Sequence, residues 1–93
     1  MMFMGKYSYP VIFEPEEIGF TVFVPDLPGC FTQGDSVEEA LEYVQDAIGL
    51  MLEGLQPKDY PNATNLNELE LSDQQFAIMV DFDKLAYDNK YNN

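Results

Sequence analysis

Two prolines and a glycine at the end of a strand-forming stretch constrain the fold of this chain most. Residues 20–24 are all aromatic or β-branched, which suits a pleated strand. Pro25 and Pro28 fix φ and remove backbone donors, so they interrupt sheet pairing at this point. Gly29 has the backbone freedom to turn the chain into a further short strand at residues 30–33. The segment therefore predicts two strands joined by a rigid turn.

A helix is predicted directly after this turn. Asp35 or Ser36 is a suitable N-cap, and Glu39 lies three residues after Ser36, as a capping box requires. The helix is expected over residues 37–53 and ends before Gly54. One apolar stripe at three- and four-residue spacing consists of Val37, Leu41, Val44, Ile48, Met51 and Leu52.

Two other segments alternate between apolar and polar side chains and are predicted as strands. They are residues 7–14 and residues 76–82. Pro10 indicates that the first strand has an unpaired edge at that point, or starts there. The resulting β-β-β-α-β order predicts an α+β fold in which an antiparallel sheet carries one helix on one face. Residues 84–93 are polar and aromatic, and we expect a partly ordered C-terminal tail after a domain that covers residues 1–83.

A single helix leaves the second face of such a sheet uncovered. An apolar outer surface is the expected result, and such a patch usually marks an association surface. The strand register decides whether the apolar side chains share the outer face, and a two-fold homodimer is the commonest way to cover such a face. The residues expected on this outer surface are Ile12, Thr21, Phe23, Ala77 and Met79.

The charge of the chain is strongly acidic. It has 17 acidic residues against four lysines, with no arginine and no histidine, and a formal net charge of −13. Phosphate contacts require Lys and Arg, so we expect no direct binding of nucleic acid and no anionic membrane surface as a partner. Acidity of this size suits a basic protein partner, although it also simply keeps a small protein soluble.

The single cysteine and the absence of long apolar stretches indicate where in the cell the chain is located. Cys30 cannot form an intrachain disulfide, which fits the reducing cytoplasm. No stretch is long enough to span a bilayer, and residues 1–4 are too short for a signal segment. The sequence therefore predicts a cytoplasmic protein with no membrane contact.

No residue pattern in this chain indicates catalysis. A nucleophilic Cys30 would need a neighbouring base, and because there is no histidine, we expect a buried small side chain instead. Asp26 has two interpretations of equal weight, a cap on a backbone donor or a partner contact on a rigid loop. The acids near strand ends do not form a recognisable metal-ligand set, so we expect no metal, no cofactor and no enzymatic activity. These acids are Glu14, Asp26, Asp81 and Asp83.

The order of these signals resembles the N-terminal domain of the HicB family, the antitoxins of bacterial HicA–HicB toxin–antitoxin pairs. The resemblance covers residues 9–14, residues 19–35 with their Val-Pro-Asp-Leu-Pro-Gly-Cys core, and the helix start at residues 37–41. It implies a HicB-like domain that is similar to a partial ribonuclease H fold. Many members of the family also carry a DNA-binding domain, for which residues 84–93 are too short and too poor in Lys and Arg. Either this member lacks that domain, or the sequence stops before it.

The resemblance also implies a function. We expect an antitoxin that neutralises a basic HicA-type toxin, which cleaves mRNA, by masking the toxin's RNA-binding, histidine-bearing face. The alternative is a stand-alone dimeric domain that serves as a scaffold or binds a small ligand without a toxin partner, and a degenerate nuclease is a weaker third possibility. The expected partner-binding residues are Asp26, Leu27, Pro28, Glu14, Glu38 and Glu42.

Overall fold

Strand β1 (Lys6–Pro15) lies inside an antiparallel sheet in the computed structural model, which describes residues 6–91 and their side chains from Tyr7 onward. The order of strands is β3-β2-β1-β4, so the first three form the expected meander and β4 pairs with the other side of β1. The structure thus confirms the predicted α+β class. The remaining elements are β2 (Phe20–Phe23), β3 (Phe31–Gly34), α1 (Val37–Leu52), two 3₁₀ turns (Pro57–Asp59 and Leu66–Glu68), β4 (Phe76–Asp83) and α2 (Lys84–Tyr91).

Two prolines explain why the pairing of β1 with β2 is short. The last pair is Ile12 with Phe23, and the next hydrogen-bonded pair in this register would be Pro10 with Pro25. The backbone N–H and C=O groups of successive residues point to opposite sides of a strand. Since the Val24 N–H donates to the carbonyl of Cys30 beside β3, the backbone groups of Phe23 and Pro25 point toward β1. Neither proline has an N–H to donate, and the ladder ends. The side of Pro10 that faces away from β4 is therefore without a strand neighbour, as the sequence predicts.

The core lies between the sheet and α1. The predicted alternation of β1 is confirmed, because Tyr9, Val11 and Phe13 are buried on the side that α1 covers. Helix α1 packs against β2, β3 and β4, and its buried apolar side chains are Ala40, Val44, Ile48 and Leu52. The strand residues that complete this core are Val22 from β2 and Val80 and Phe82 from β4.

The opposite face of the sheet is less open than expected. The register confirms that the five residues assigned to it share one face, since Ile12 lies between Phe23 and Ala77. Ile12, however, is only 5% exposed, and Pro10 on the same face is also buried. The exposed apolar side chains on this face are Phe31 and Met79, near its two edges. Dimerisation through this face stays a prediction.

The long connection between α1 and β4 is tied to the sheet at three points. The Tyr9 hydroxyl donates to the carbonyl of Pro61 at 2.8 Å. Thr64 bonds to Asp26, and the Gln75 amide donates to the Glu14 carboxylate at 2.6 Å. The connection therefore follows a fixed path from the end of α1 to the start of β4, although it contains only two 3₁₀ turns.

The tail prediction is wrong for most of its length. Lys84–Tyr91 form helix α2, which continues directly from β4 and packs beside α1. The helix could not be predicted from its composition, which is mostly polar. Its apolar contacts come mainly from Tyr87, which lies against Gly49 of α1 and the ring of Phe82. Residues 92–93 lie outside the described part of the chain. Within residues 6–91, neither helix is long and apolar enough to cross a bilayer.

Candidate functional site

The turn after β2 is held in one shape by its own backbone. The Leu27 N–H donates to the carbonyl of Val24 at 3.0 Å, and the Cys30 N–H donates to the carbonyl of Leu27 at 2.9 Å. Gly29 has a φ of 86°, a conformation that favours glycine. The turn between the two prolines is therefore rigid, as the sequence predicts, and it brings Asp26, Leu27 and Pro28 together.

Asp26 uses both carboxylate oxygens inside the chain. The Thr64 N–H donates to one of them at 2.9 Å, and the Thr64 hydroxyl donates to the other at 2.7 Å. This is the backbone-capping role that the sequence offered as one of two interpretations, but the capped residue belongs to a distant segment. The half-buried carboxylate thus fastens the α1–β4 connection to the turn. A direct contact of Asp26 with a partner stays a prediction.

Three of the residues that follow Asp26 differ in exposure, namely Leu27, Pro28 and Cys30. Leu27 is only 3% exposed and belongs to the core, so its side chain offers no surface to a partner in this structure. Pro28 is exposed. Cys30 is buried, as predicted, and burial raises its pKa from the ordinary value of 9.0 to about 11. A thiol with this pKa is protonated at neutral pH.

The other predicted contact residues lie in two different places. Glu14 is half-buried at the far end of β1 and accepts the hydrogen bond from Gln75. Glu38 and Glu42 are exposed on α1, one helical turn apart. The structure therefore groups the turn residues and groups the two helix acids, but it does not bring all six predicted residues into one site.

The N-cap of α1 is Ser36, one of the two predicted candidates. Its hydroxyl accepts from the Glu39 N–H at 3.1 Å, and the Glu39 carboxylate in turn accepts from the N–H of Asp35 at 2.6 Å. The assignment of Asp35 as the cap is thus wrong, because Asp35 precedes the cap and contributes only its N–H. The reciprocal pair fixes the start of the helix against the end of β3.

Sequence reasoning missed an acidic cavity between α1 and α2. It has a volume of about 310 Å³, and Glu42 and Asp46 of α1 face it together with Asp81 and Asp83 of β4. Tyr87 of α2 forms another part of its wall. Only the recognition that residues 84–91 form a helix could have revealed this cavity. The signal for that helix is the four-residue spacing of Tyr87 and Tyr91, whose rings lie 5.0 Å apart.

The lysines whose side chains are described all pair with aspartates of the same chain. The Nζ atom of Lys84 lies 2.7 Å from a carboxylate oxygen of Asp88, and that of Lys90 lies 3.3 Å from a carboxylate oxygen of Asp46 on α1. Lys58 lies 3.6 Å from Asp59. Such exposed pairs contribute little to stability, but they leave most of the acidic residues without a cation nearby. The surface of the described chain is therefore strongly negative.

The four carboxylates considered as metal ligands have separate partners. Asp81 accepts from the Ser8 hydroxyl, and Asp83 accepts from the N–H of Ala86 at the start of α2. Glu14 and Asp26 bond to Gln75 and Thr64, as described above. No group of three side chains suited to hold a metal ion occurs within residues 6–91.

Comparison with known proteins finds a matching family profile and several relatives of this chain. The family profile described as "HicB_like antitoxin of bacterial toxin-antitoxin system" matches residues 9–92. An uncharacterised 14.9 kDa protein of Haemophilus phage HP1 is 37% identical over 78 residues, which are 77% of this chain and 57% of the phage protein. Antitoxin HicB 1 of Photorhabdus laumondii is 56% identical over 41 residues, which are 43% of this chain.

Solved structures share the fold. A chain of the toxin–antitoxin complex from Streptococcus pneumoniae superposes with a TM-score of 0.74 at 24% identity, over 88% of this chain and 72% of that one. A chain of the HicA3 and HicB3 toxin–antitoxin complex gives a TM-score of 0.61 at 19% identity, over 80% of this chain and 95% of that one. This chain spans little more than half of the phage relative and 26% of the Photorhabdus antitoxin.

Proposed function

Because this chain belongs to the HicB-like antitoxin family, we propose that it binds and neutralises a basic toxin of the HicA type. The observation that carries the proposal is the family match, which extends over nearly the whole chain from the first buried strand to the second helix. The structures with the same fold come from toxin–antitoxin complexes, which supports a protein partner of this kind.

The surface charge supports a steric and electrostatic mechanism. A toxin that cleaves mRNA must present cations to the RNA phosphates. The acidic chain would pair with the same cations, cover the face that carries the toxin's histidine, and exclude RNA by competition. The mechanism requires no catalysis by this chain. Since the proposed target of the toxin is mRNA, we place the complex in the cytoplasm.

Two groups of the predicted residues suit this contact better than the others. Pro28 is exposed on a rigid turn. Glu38 and Glu42 are exposed on α1, and none of the lysines with a described side chain binds them. Asp26 and Glu14 would act indirectly, by holding the turn and the connection in place. We propose that the toxin contacts the exposed residues Pro28, Glu38 and Glu42.

Co-expression tests the proposal. The chain is produced together with a HicA-type toxin encoded next to its own gene, and growth is scored against cells that make the toxin alone. We expect growth to be restored and the two proteins to co-purify. A toxin variant without its catalytic histidine should still bind, which separates binding from loss of toxicity. Continued growth arrest with no co-purification, while both proteins are present in soluble form, would overturn the antitoxin function.

A further inference from the structure

The sheet has two outer edges, and they differ in how they are protected. At the β4 edge the Gln45 side chain donates to the backbone carbonyl of Asp81 at 2.6 Å. The charged side chains of Asp81 and Asp83 lie on the same strand. Edge strands are commonly protected from further pairing by charges and by side-chain caps. Strand β3 at the other edge, with the sequence Phe-Thr-Gln-Gly, has no charged side chain and no proline.

The backbone of β3 presents free hydrogen-bonding groups at this edge. Val24 donates to Cys30, so these two form a hydrogen-bonded pair, and the next such pair is Val22 with Thr32. The residues between them, Phe31 and Gln33, therefore turn their N–H and C=O groups away from β2. Within the described part of the chain, no hydrogen bond reaches these four groups.

Side chains flank this edge on both sides. Phe31 is 64% exposed on the face away from α1, and Tyr43 of α1 is 44% exposed on the other. With Thr21, Thr32 and Gln33 they line an open cavity of about 540 Å³. Successive side chains of a strand point to opposite faces, so an added strand would place one against Phe31 and the next against Tyr43. Backbone pairing with pockets for alternate side chains is the usual geometry of strand addition.

Charge determines which occupant fits. The Tyr43 hydroxyl donates to the Glu39 carboxylate at 3.4 Å, and that carboxylate raises the pKa of Tyr43. Glu39 also accepts from the N–H of Asp35, so acidic residues border the edge along α1. A second copy paired through β3 would place two acidic helices side by side without an intervening lysine, since the described lysines lie outside β3 and α1. A cationic segment meets no such repulsion.

We propose that an extended segment of the basic toxin adds to the sheet as a fifth strand along β3, with its own cations near Glu39. This inference rests on the proposed function and specifies where the toxin binds. Such an added strand requires an exposed aromatic side chain, free backbone groups and acidic residues nearby. Strand β3 supplies the first two, and α1 beside it supplies the acidic residues.

Amide hydrogen exchange tests the backbone part of the inference directly. The probe is the HicA-type toxin that lacks its catalytic histidine, mixed with the full chain. In the free protein we expect the N–H groups of Phe31 and Gln33 to exchange fast and that of Thr32 to be protected. In the complex, protection of Phe31 and Gln33 should rise at least about tenfold, because new backbone hydrogen bonds form.

Substitutions at one outward-facing position test the side-chain part. Gln33→Pro removes an unpaired N–H and blocks an approaching strand while the pairing with β2 is kept. Gln33→Lys places a cation at the acidic edge. We expect both to weaken toxin binding by at least about tenfold, whereas Gln33→Glu should bind about as well as the wild type. Met79→Lys, on the other edge strand, is the matched control and should leave the affinity unchanged. Thermal unfolding of each variant checks the fold.

The outcomes separate the two proposals. If the wild type does not bind the toxin, the proposed function fails and this inference fails with it. If the wild type binds and the Gln33 variants bind equally well, the toxin docks elsewhere and only this inference is overturned. If Gln33→Pro instead converts a dimer to a monomer in sedimentation measurements and leaves toxin affinity unchanged, the occupant is a second copy, which also overturns it.

Discussion

Ser36 shows how much one side chain contributes to the start of α1. Its hydroxyl satisfies a free N–H of the first helical turn, and the Glu39 carboxylate closes the reciprocal bond to the N–H of Asp35. Both bonds join residues that are close in sequence. The local pattern of a hydroxyl followed three residues later by a glutamate was therefore enough to predict the cap, to within one position.

Replacement of the cap should weaken the whole domain. Ser36→Ala removes the acceptor for the Glu39 N–H, and we expect the free energy of unfolding to fall by about 1 kcal/mol. Urea unfolding followed by circular dichroism measures this change. Ser72→Ala is the matched control, since Ser72 is exposed and its hydroxyl makes no described hydrogen bond. Equal stability of the two variants would contradict the capping role.

The buried thiol of Cys30 predicts a pH dependence. Its pKa is about 11 in the folded chain and near 9.0 when the chain is unfolded, so the folded state binds the proton more tightly. The stabilisation is complete below pH 9 and is lost as the pH rises toward 11. We expect a thiol reagent at pH 8 to label the folded protein far more slowly than the protein in urea. Equal labelling rates would show that Cys30 is accessible.

Asp26 shows where reasoning from a single residue reaches its limit. The turn chemistry around it was predictable, because prolines and glycine act on their immediate neighbours. Its partner Thr64 lies 38 residues away in a segment without regular structure, and nothing local pairs these two positions. For the same reason, the capping and partner-contact interpretations of Asp26 had equal weight before the fold was known.

Among the elements, α2 depends on close packing against α1. Gly49 has no side chain, and the ring of Tyr87 fills the space beside it: a Cβ on Gly49 would lie 2.3 Å from a ring carbon. Lys90 adds an ion pair to Asp46 nearby. The sequence of α2 is mostly polar, so its helical state follows from a surface that α1 supplies. The spacing of Tyr87 and Tyr91 is a helical signal, but it is too weak alone to predict the helix.

A methyl group at Gly49 should displace α2. Alanine is the better helix former by about 1 kcal/mol, so propensity alone would stabilise the variant. We expect Gly49→Ala instead to lower the free energy of unfolding by about 1–3 kcal/mol, because Tyr87 must move. Gly54→Ala is the control, since a Cβ there meets nothing within 4 Å. Urea unfolding compares the two, and limited proteolysis should cut α2 faster in Gly49→Ala only. A Gly49→Ala protein as stable as Gly54→Ala would show that α2 is not fixed by this contact.

At the scale of the whole molecule, charge acts in two opposite directions. Like charges repel within a chain of net charge −13, and the same charges attract a basic partner. The sequence alone established this imbalance, since a count of side chains does not depend on the fold. The arrangement of the acids along α1, beside the β3 edge and around the α1–α2 cavity required the structure, because the helix and the strands bring distant residues together.

Salt should therefore stabilise the free chain and weaken the proposed complex. Between about 50 and about 500 mM NaCl, screening reduces the internal repulsion, and we expect the melting temperature of the chain alone to rise. Over the same range the association rate with the basic toxin should fall at least about tenfold. Thermal scans and stopped-flow mixing measure the two effects. An association rate that does not depend on salt would contradict electrostatic attraction.

The pairing of β1 with β4 has a consequence for the life of the protein in the cell. It joins Tyr7 to Phe82, so the sheet closes only after synthesis has passed Asp83. Until then, residues 6–13 of β1 lack their partner strand. Conversely, a protease that cuts the connection and releases β4 would leave β1 without its longest partner. Such a cut would also remove Val80 and Phe82 from the core.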